Sequence, residues 1–200
     1  VLQVYAKNTT ARHLYEQLGF DYMGGKSELR LDQCPPSAQL PEQPPEIASL
    51  FPFSAQHWQE LYELANCQHH TQAQWWRAIR RNDFQSTFEQ QVSEWFANLI
   101  GRRTVYRRCV QITRRFEAAL LLTVQRWKGE HQLQMWVRPE NYGKYEEQLI
   151  AWTLQTLRDY PRLPITLELT TEHTAALEAA QAHGFQVERS LLTMRRKVDE

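Results

Sequence analysis

A chain of 200 residues with 42% hydrophobic and 12% aromatic content, seven Trp among them, can bury one full domain core and part of another. Lys plus Arg and Asp plus Glu balance at 23 each, so no global field favours nucleic acid or an anionic membrane surface. No apolar run approaches the roughly 20 residues of a membrane span and no signal peptide is visible. Three widely spaced cysteines, Cys34, Cys67 and Cys109, predict reduced thiols in a cytoplasmic protein rather than a disulfide scaffold.

Residues 1–31 read VLQVYAKNTTARHLYEQLGFDYMGGKSELRL: a short alternating apolar run, an Asn-Thr-Thr helix start, a helix, a Gly-Phe stop and a second apolar run, taken as a strand or hairpin. The chain opens at Val1 inside a predicted strand, from which we expect sequence upstream. Residues 32–50 carry Pro35, Pro36, Pro41, Pro44 and Pro45 and few large apolar side chains, so an extended tether is expected. Helices are predicted over 54–67, with Ser54 as N-cap, over 71–81 and over 86–100. Residues 104–112, 116–127 and 133–137 then read as consecutive antiparallel strands. A helix over 145–159, a strand over 164–170, a helix over 173–183 and a closing strand or hairpin over 186–197 complete an α+β domain with a mixed central sheet. Arginine pairs stand at 102–103, 107–108 and 114–115. Strand neighbours point to opposite faces, so Arg107 and Arg108 cannot make one patch, and a solvated edge is expected.

Residues 1–31 also match residues 166–196 at an ungapped offset of 165. Six positions are identical: Leu2 and Leu167, Thr9 and Thr174, Ala11 and Ala176, Gly19 and Gly184, Phe20 and Phe185, Arg30 and Arg195. The weight lies in the recurrence of strand, helix, Gly-Phe turn and strand in one order, at a spacing of about one domain. Only the first copy keeps chemically useful side chains. Asn8 is replaced by His173 and Tyr15 by Ala180.

With Asn8, Ala11, Leu14, Tyr15, Gly19 and Phe20 matching N-x-x-A-x-x-L-Y-x-x-x-G-F in full, the chain resembles the GNAT family of acyl-CoA-dependent N-acetyltransferases. The resemblance implies a GNAT-like acyl-CoA N-acyltransferase fold, with a mixed, mostly antiparallel sheet flanked by helices. It divides the chain into 1–31, the last strand, helix and hairpin of a first GNAT domain; 32–50, a linker; and 51–200, a second, degenerate domain. It implies acetyl-CoA as cosubstrate, no metal, and a small-molecule or peptide amine as acceptor. By the same resemblance Tyr15 is the proton donor to the departing thiolate and Asn8 binds the pantetheine arm or orders water beside the thioester.

The residues taken alone leave alternatives. Tyr15 recurs with Ala11, Leu14 and Leu18 at core spacing, and a Tyr hydroxyl with pKa about 10 holds a transferable proton at pH 7. Asn8 serves equally as a helix cap. In the second domain the expected pyrophosphate loop reads VRPENYGKYEEQLIAW; Val137, Gly143 and Lys144 are its candidate cofactor contacts. Gly suits close backbone approach and a helix start suits an anion, but Glu146 and Glu147 stand where small residues are expected and would repel a diphosphate. Cys67, His69 and His70 have no partner pair at ligand spacing, so no metal site is expected. His173 and His183 read as structural, and no general base is identified among Asp21, Glu28 and the other carboxylates. Three rivals remain: a non-enzymatic binding module, an acyltransferase in the second domain, and a homodimer in which strands of 1–31, lacking a sheet of their own, pair with another chain.

Overall fold

The computed structural model describes residues 1–33, 50–68 and 103–196. All but the ends of the expected tether lies outside them, as do the helices expected at 71–81 and 86–100 and Cys34, His69 and His70. The described elements are β1 (Leu2–Tyr5), α1 (Thr9–Gln17), β2 (Asp21–Leu31), β3 (Phe51–Pro52), α2 (Trp58–Cys67), β4 (Arg103–Ile112), β5 (Arg115–Gln125), β6 (His131–Val137), α3 (Glu146–Thr156), β7 (Ile165–Thr170), α4 (Thr174–Ala182) and β8 (Gln186–Arg195). Ser54 precedes a single 3-10 turn at Ala55–His57 that leads into α2, and its backbone N–H donates to His57 Nδ1 at 3.3 Å.

All strands join one eight-stranded sheet in the order β1-β8-β2-β7-β6-β5-β4-β3. Among the described strands only β6 and β7 run parallel. Alternation sorts the two faces. Ala118, Leu120, Leu122 and Val124 of β5, Leu133 of β6, Leu167 of β7 and Leu29 of β2 meet Leu149, Ile150 and Leu154 of α3 and Ala176 and Ala180 of α4 in the main core. The opposite face carries a smaller cluster in which Leu61 and Leu64 of α2 cover Cys109, Phe116 and Ala119. Each Leu fully removed from water contributes about 1.5–3 kcal/mol.

The arginines follow the same alternation, with one departure from expectation. Arg108 turns to the α3 face, its guanidinium 5.1 Å from the Trp152 ring and 6.0 Å from Tyr106. It is half-buried rather than at a solvated edge, because two aromatic faces attract the cation.

The 165-residue repeat is written into the sheet register. Leu2 pairs with Met194 and Leu167 with Leu29; Gln3 pairs with Thr193 and Glu168 with Glu28; Val4 pairs with Leu192 and Leu169 with Ser27; Tyr5 pairs with Leu191 and Thr170 with Lys26. In each case adding 165 to the first member and subtracting 165 from the second gives the other pair. Lys26 pairs with Leu191, which is its own equivalent (26 + 165 = 191), so a pseudo-twofold axis passes through that pair. Even the bulges repeat: Met23 and Glu188 are the residues skipped between β2 and β8. Both helices end alike, with Gly19 at φ 77° and Gly184 at φ 89° and with Phe20 N bonded to Tyr15 O (2.9 Å) and Phe185 N to Ala180 O (3.0 Å), the bonding of a left-handed glycine cap.

Two expectations change. Residues 21–31 form one strand, not a hairpin, because Gly24 and Gly25 are absorbed beside the Met23 bulge instead of turning the chain. The strands of 1–31 do not lack a sheet: β1 pairs with β8, and β2 lies between β7 and β8, so the reason for expecting them to seek another chain falls away.

Gly25 sits at the tightest point of the interlock. A Cβ there would stand 2.6 Å from Leu191 O and 2.8 Å from Thr171 Oγ1. Gly25→Ala is therefore expected to cost about 1–3 kcal/mol by overpacking, read as a lower urea midpoint. Gly129→Ala, where the nearest atom is 3.8 Å away but φ is 104°, is expected to cost only the backbone strain, about 1 kcal/mol. Equal effects would contradict the crowding at Gly25.

Candidate functional site

The candidate residues fall into two places, one in each repeat, that are not equivalent: the counterpart of α1 under the pseudo-twofold axis is α4. Asn8 and Tyr15 belong to α1, which follows β1; Val137, Gly143 and Lys144 belong to the segment that follows β6. β1 and β6 are four strand spacings apart, roughly 19 Å, and their directions are opposed, so the two sets do not form one site.

On α1, Asn8 is the N-cap, its Oδ1 accepting from Ala11 N at 3.0 Å. The capping alternative is thus observed, while Nδ2 makes no hydrogen bond within the described residues. Tyr15 is half-buried, its ring edge-on to Phe20 at 5.7 Å, and its hydroxyl has no partner among the described residues. The core spacing of this helix is not matched by burial. No residue of α1 is buried, and Leu14 and Leu18 are 53% and 47% exposed. Its counterpart α4 buries Ala176 and Ala180, at the positions equivalent to Ala11 and Tyr15, because α3 packs over them. Nothing comparable to α3 covers α1 among the described residues.

In the β6–α3 segment every candidate is already engaged. Val137 is fully buried and its carbonyl accepts from Gln68 Nε2 at 3.0 Å. Lys144 Nζ donates to Asn141 Oδ1 at 2.9 Å, and Asn141 Nδ2 donates to Glu117 at 2.7 Å. Arg138, 5% exposed, donates to Phe116 O at 2.8 Å. Gly143, at φ 85°, makes the left-handed turn that aims its N–H at Glu146 Oε2, 2.9 Å away; Tyr145 N donates to the same oxygen at 3.1 Å.

Of the two carboxylates expected to repel a diphosphate, Glu146 is buried and already bonded within the chain. Glu146 is 1% exposed, and His173 Nε2, also on a 1% exposed residue, donates to Oε1 at 2.8 Å. The imidazole is stacked on Tyr142 at 4.0 Å. Burial alone would push the Glu146 carboxyl up; the hydrogen bonds from His173 and the Gly143 amide outweigh it and hold the group below its usual 4.5. Glu147 is the exposed member of the pair. Sequence spacing could not find this pair because its members are 27 positions apart; the only signal was a Glu at a helix start and a His at the next.

Between these places the sheet parts. The β6–β7 ladder holds His131, Gln132 and Leu133 against Ile165, Thr166 and Leu167 and stops there, although both strands continue. A cavity of about 320 Å³ opens on the polar face at this point, lined by Glu28, Glu168 and Glu188 with Gln132, Gln134 and Thr166. Its charges are paired: Lys26 Nζ lies 2.7 Å from Glu168 and 3.1 Å from Glu28, and Arg189 meets Glu28. Among the described residues no three His, Cys, Asp or Glu side chains cluster as a metal site, and no helix is long and apolar enough to cross a membrane.

Two buried groups set an expected acid sensitivity. His131, 0% exposed, accepts from Gln125 N through Nδ1 and faces Pro161 O through Nε2. Burial lowers its pKa, so below about 6.5 the unfolded chain takes a proton the folded one refuses, and stability falls as pH drops. Glu146 acts in the same direction lower down: its depressed pKa stabilises the fold above about 4.5, and that contribution is lost as pH falls. Urea midpoints measured from pH 8 to pH 3 should decline in these two windows; a flat profile would contradict both assignments. At neutral pH, Glu146→Ala should cost about 3–5 kcal/mol by leaving His173 and two amides without their anion, and Glu147→Ala less than about 0.5 kcal/mol.

No family model matches this sequence, and no curated protein sequence matches it. Solved structures do. A GCN5-related N-acetyltransferase from Sphaerobacter thermophilus superposes with TM-score 0.53 at 16% identity, covering 99% of this chain and 60% of its own. A tandem GNAT protein from the clavulanic acid biosynthesis pathway gives TM-score 0.51 at 13% identity, covering 96% of this chain and 60% of its own. The chain thus spans less than two thirds of either protein. Identities this low speak to architecture alone: the chain has the GNAT acetyltransferase fold.

Proposed function

We propose that this chain is part of an N-acetyltransferase that moves an acetyl group from acetyl-CoA to an amine, with catalysis in the unit to which residues 1–31 belong and a structural role for residues 51–200. One observation carries the reading. Of two helices equivalent by register, α4 is sealed under α3 with alanines and its α3-side cradle is filled, whereas α1 keeps an unbonded Tyr15 hydroxyl and an uncovered face. By the pseudo-twofold axis, that catalytic unit is completed by a strand and helix docking on β1 and α1 as β6 and α3 dock on β7 and α4. Among the described residues, five of the eight exposed large apolar ones, Val1, Tyr5, Leu14, Leu18 and Tyr22, lie on this first repeat, as expected of a surface that receives such elements.

Acetyl-CoA would supply the activated acetyl group. This chain would supply the proton for the departing sulfur: as the neutral amine nitrogen bonds the carbonyl carbon and the carbon–sulfur bond breaks, Tyr15 Oη hands its proton to the sulfur, and the proton lost by the nitrogen passes to water, from which Tyr15 is reprotonated. Asn8 Nδ2, free while Oδ1 caps the helix, is the donor available two helical turns away. In residues 51–200 the fit fails. The amides of the β6–α3 loop and Lys144 are spent on the chain's own groups, so no step is assigned there.

A second reading has one observation in its favour, the parting of β6 and β7, whose edges could accept an extended amide-bearing arm. It would make residues 51–200 an acyltransferase; a non-catalytic binding or dimerisation module is the remaining alternative. In the complete protein, Tyr15→Phe is expected to lower kcat by about 100-fold or more with KM for acetyl-CoA changed less than about twofold, as measured by initial rates. Equal turnover by Tyr15→Phe and wild type across pH would remove Tyr15 from the chemistry.

A further inference from the structure

Backbone N–H groups converging at a helix start make a concave anion cradle. In this chain the cradle at the start of α3 holds an anion that the chain itself provides. Gly143 N–H and Tyr145 N–H meet on Glu146 Oε2, and His173 takes Oε1. Burying a carboxylate is a costly way to satisfy two amides that water could reach, yet Glu146 and His173 are each only 1% exposed. Crowding does not shape the loop at Gly143, although Tyr142 and Tyr145 on either side pack against the core. Nothing lies within 4 Å of a Cβ built on Gly143, and Lys144 is turned back onto Asn141.

We propose that Glu146 is a built-in substitute for a phosphate group, so that the β6–α3 loop of the second repeat is a phosphate cradle closed by its own side chain. The proposal rests on the acyl-CoA reading of the fold. Its second support comes from the repeat. His173, which locks the carboxylate in place, stands 165 positions after Asn8 (8 + 165 = 173), and each is the N-cap of its helix. The cap position carries a group able to pair with a buried carboxylate in the unit whose cradle is filled. In the other unit it carries a neutral amide, which a carboxylate partner does not require. Tyr142, stacked on the imidazole, closes the far side of the pair, and burial pushes its hydroxyl up to about 12, leaving a neutral wall beside the hydrogen-bonded carboxylate. The lock therefore belongs to the second repeat and keeps its loop folded without a ligand.

The test titrates inorganic phosphate, and separately coenzyme A, into the intact chain while the Gly143 and Tyr145 amide resonances are followed. The expected result is no saturable shift at millimolar ligand. In Glu146→Ala, inorganic phosphate at fixed ionic strength is expected to raise the melting temperature saturably by roughly 5 °C or more. In Glu146→Gln, whose side chain still fills the cradle, no such rise is expected. Should Glu146→Ala not fold in chloride, refolding that needs phosphate supports the proposal, and refolding in neither overturns it. A saturable shift of Gly143 and Tyr145 in the wild type also overturns it, as does a phosphate response of Glu146→Ala no larger than that of the wild type. Neither readout uses catalysis, so a failure of this proposal and a failure of the acyltransferase reading are told apart.

Discussion

Strand β2 is bonded on one edge to β7 and on the other to β8, both from the far end of the chain, while β8 in turn reaches between β1 and β2. Each repeat thereby lends its last strand to the other. Edges that would otherwise be left open in the middle of the sheet are satisfied by this exchange, and the burial of Leu29 and Leu31 beside Leu167 and Ile165 follows from it. The helices α3 and α4 have a continuous apolar floor only because β2 completes it. The core, the pseudo-twofold axis and the equivalence of α1 with α4 all depend on that one insertion.

The same symmetry makes the differences between the repeats informative. Where registers, bulges and helix ends agree residue by residue, a change of side chain at an equivalent position is a change of role and not of architecture. Asn8 against His173 and Tyr15 against Ala180 are such changes. One repeat has put a carboxylate in its helix-start cradle, a histidine behind it and alanines beneath its neighbouring helix, which are choices for rigidity. The other has kept a hydroxyl, an amide and an open face. A shared sheet lets the rigid repeat act as the frame for the open one.

Much of this was legible in the sequence, and the limits have physical reasons. The offset of 165 and the helix ends were readable because local signals fix them: Gly19 and Gly184 stop their helices by left-handed caps that few other residues allow. The strand order was not readable, since pairing β2 with β7 and β8 depends on contacts distant in sequence that no local pattern encodes. The sequence shows at Glu146 only a helix-start charge that would repel a diphosphate; its burial depends on His173, which arrives only when α4 packs on α3. Tyr15 showed core periodicity, yet α1 buries nothing among the described residues, because periodicity reports that a face is apolar and not what covers it.

Hydrogen exchange on the intact chain tests the interlock most directly. If β2 is the shared central strand, the amides of Leu29 and Leu31 should exchange by the same global opening as those of Leu120 and Leu122 in β5, with equal dependence on denaturant. Release of the β2 amides at low denaturant, while β5, β6 and β7 stay protected, would show that the first repeat is only laid against a sheet that stands without it, and would contradict this account.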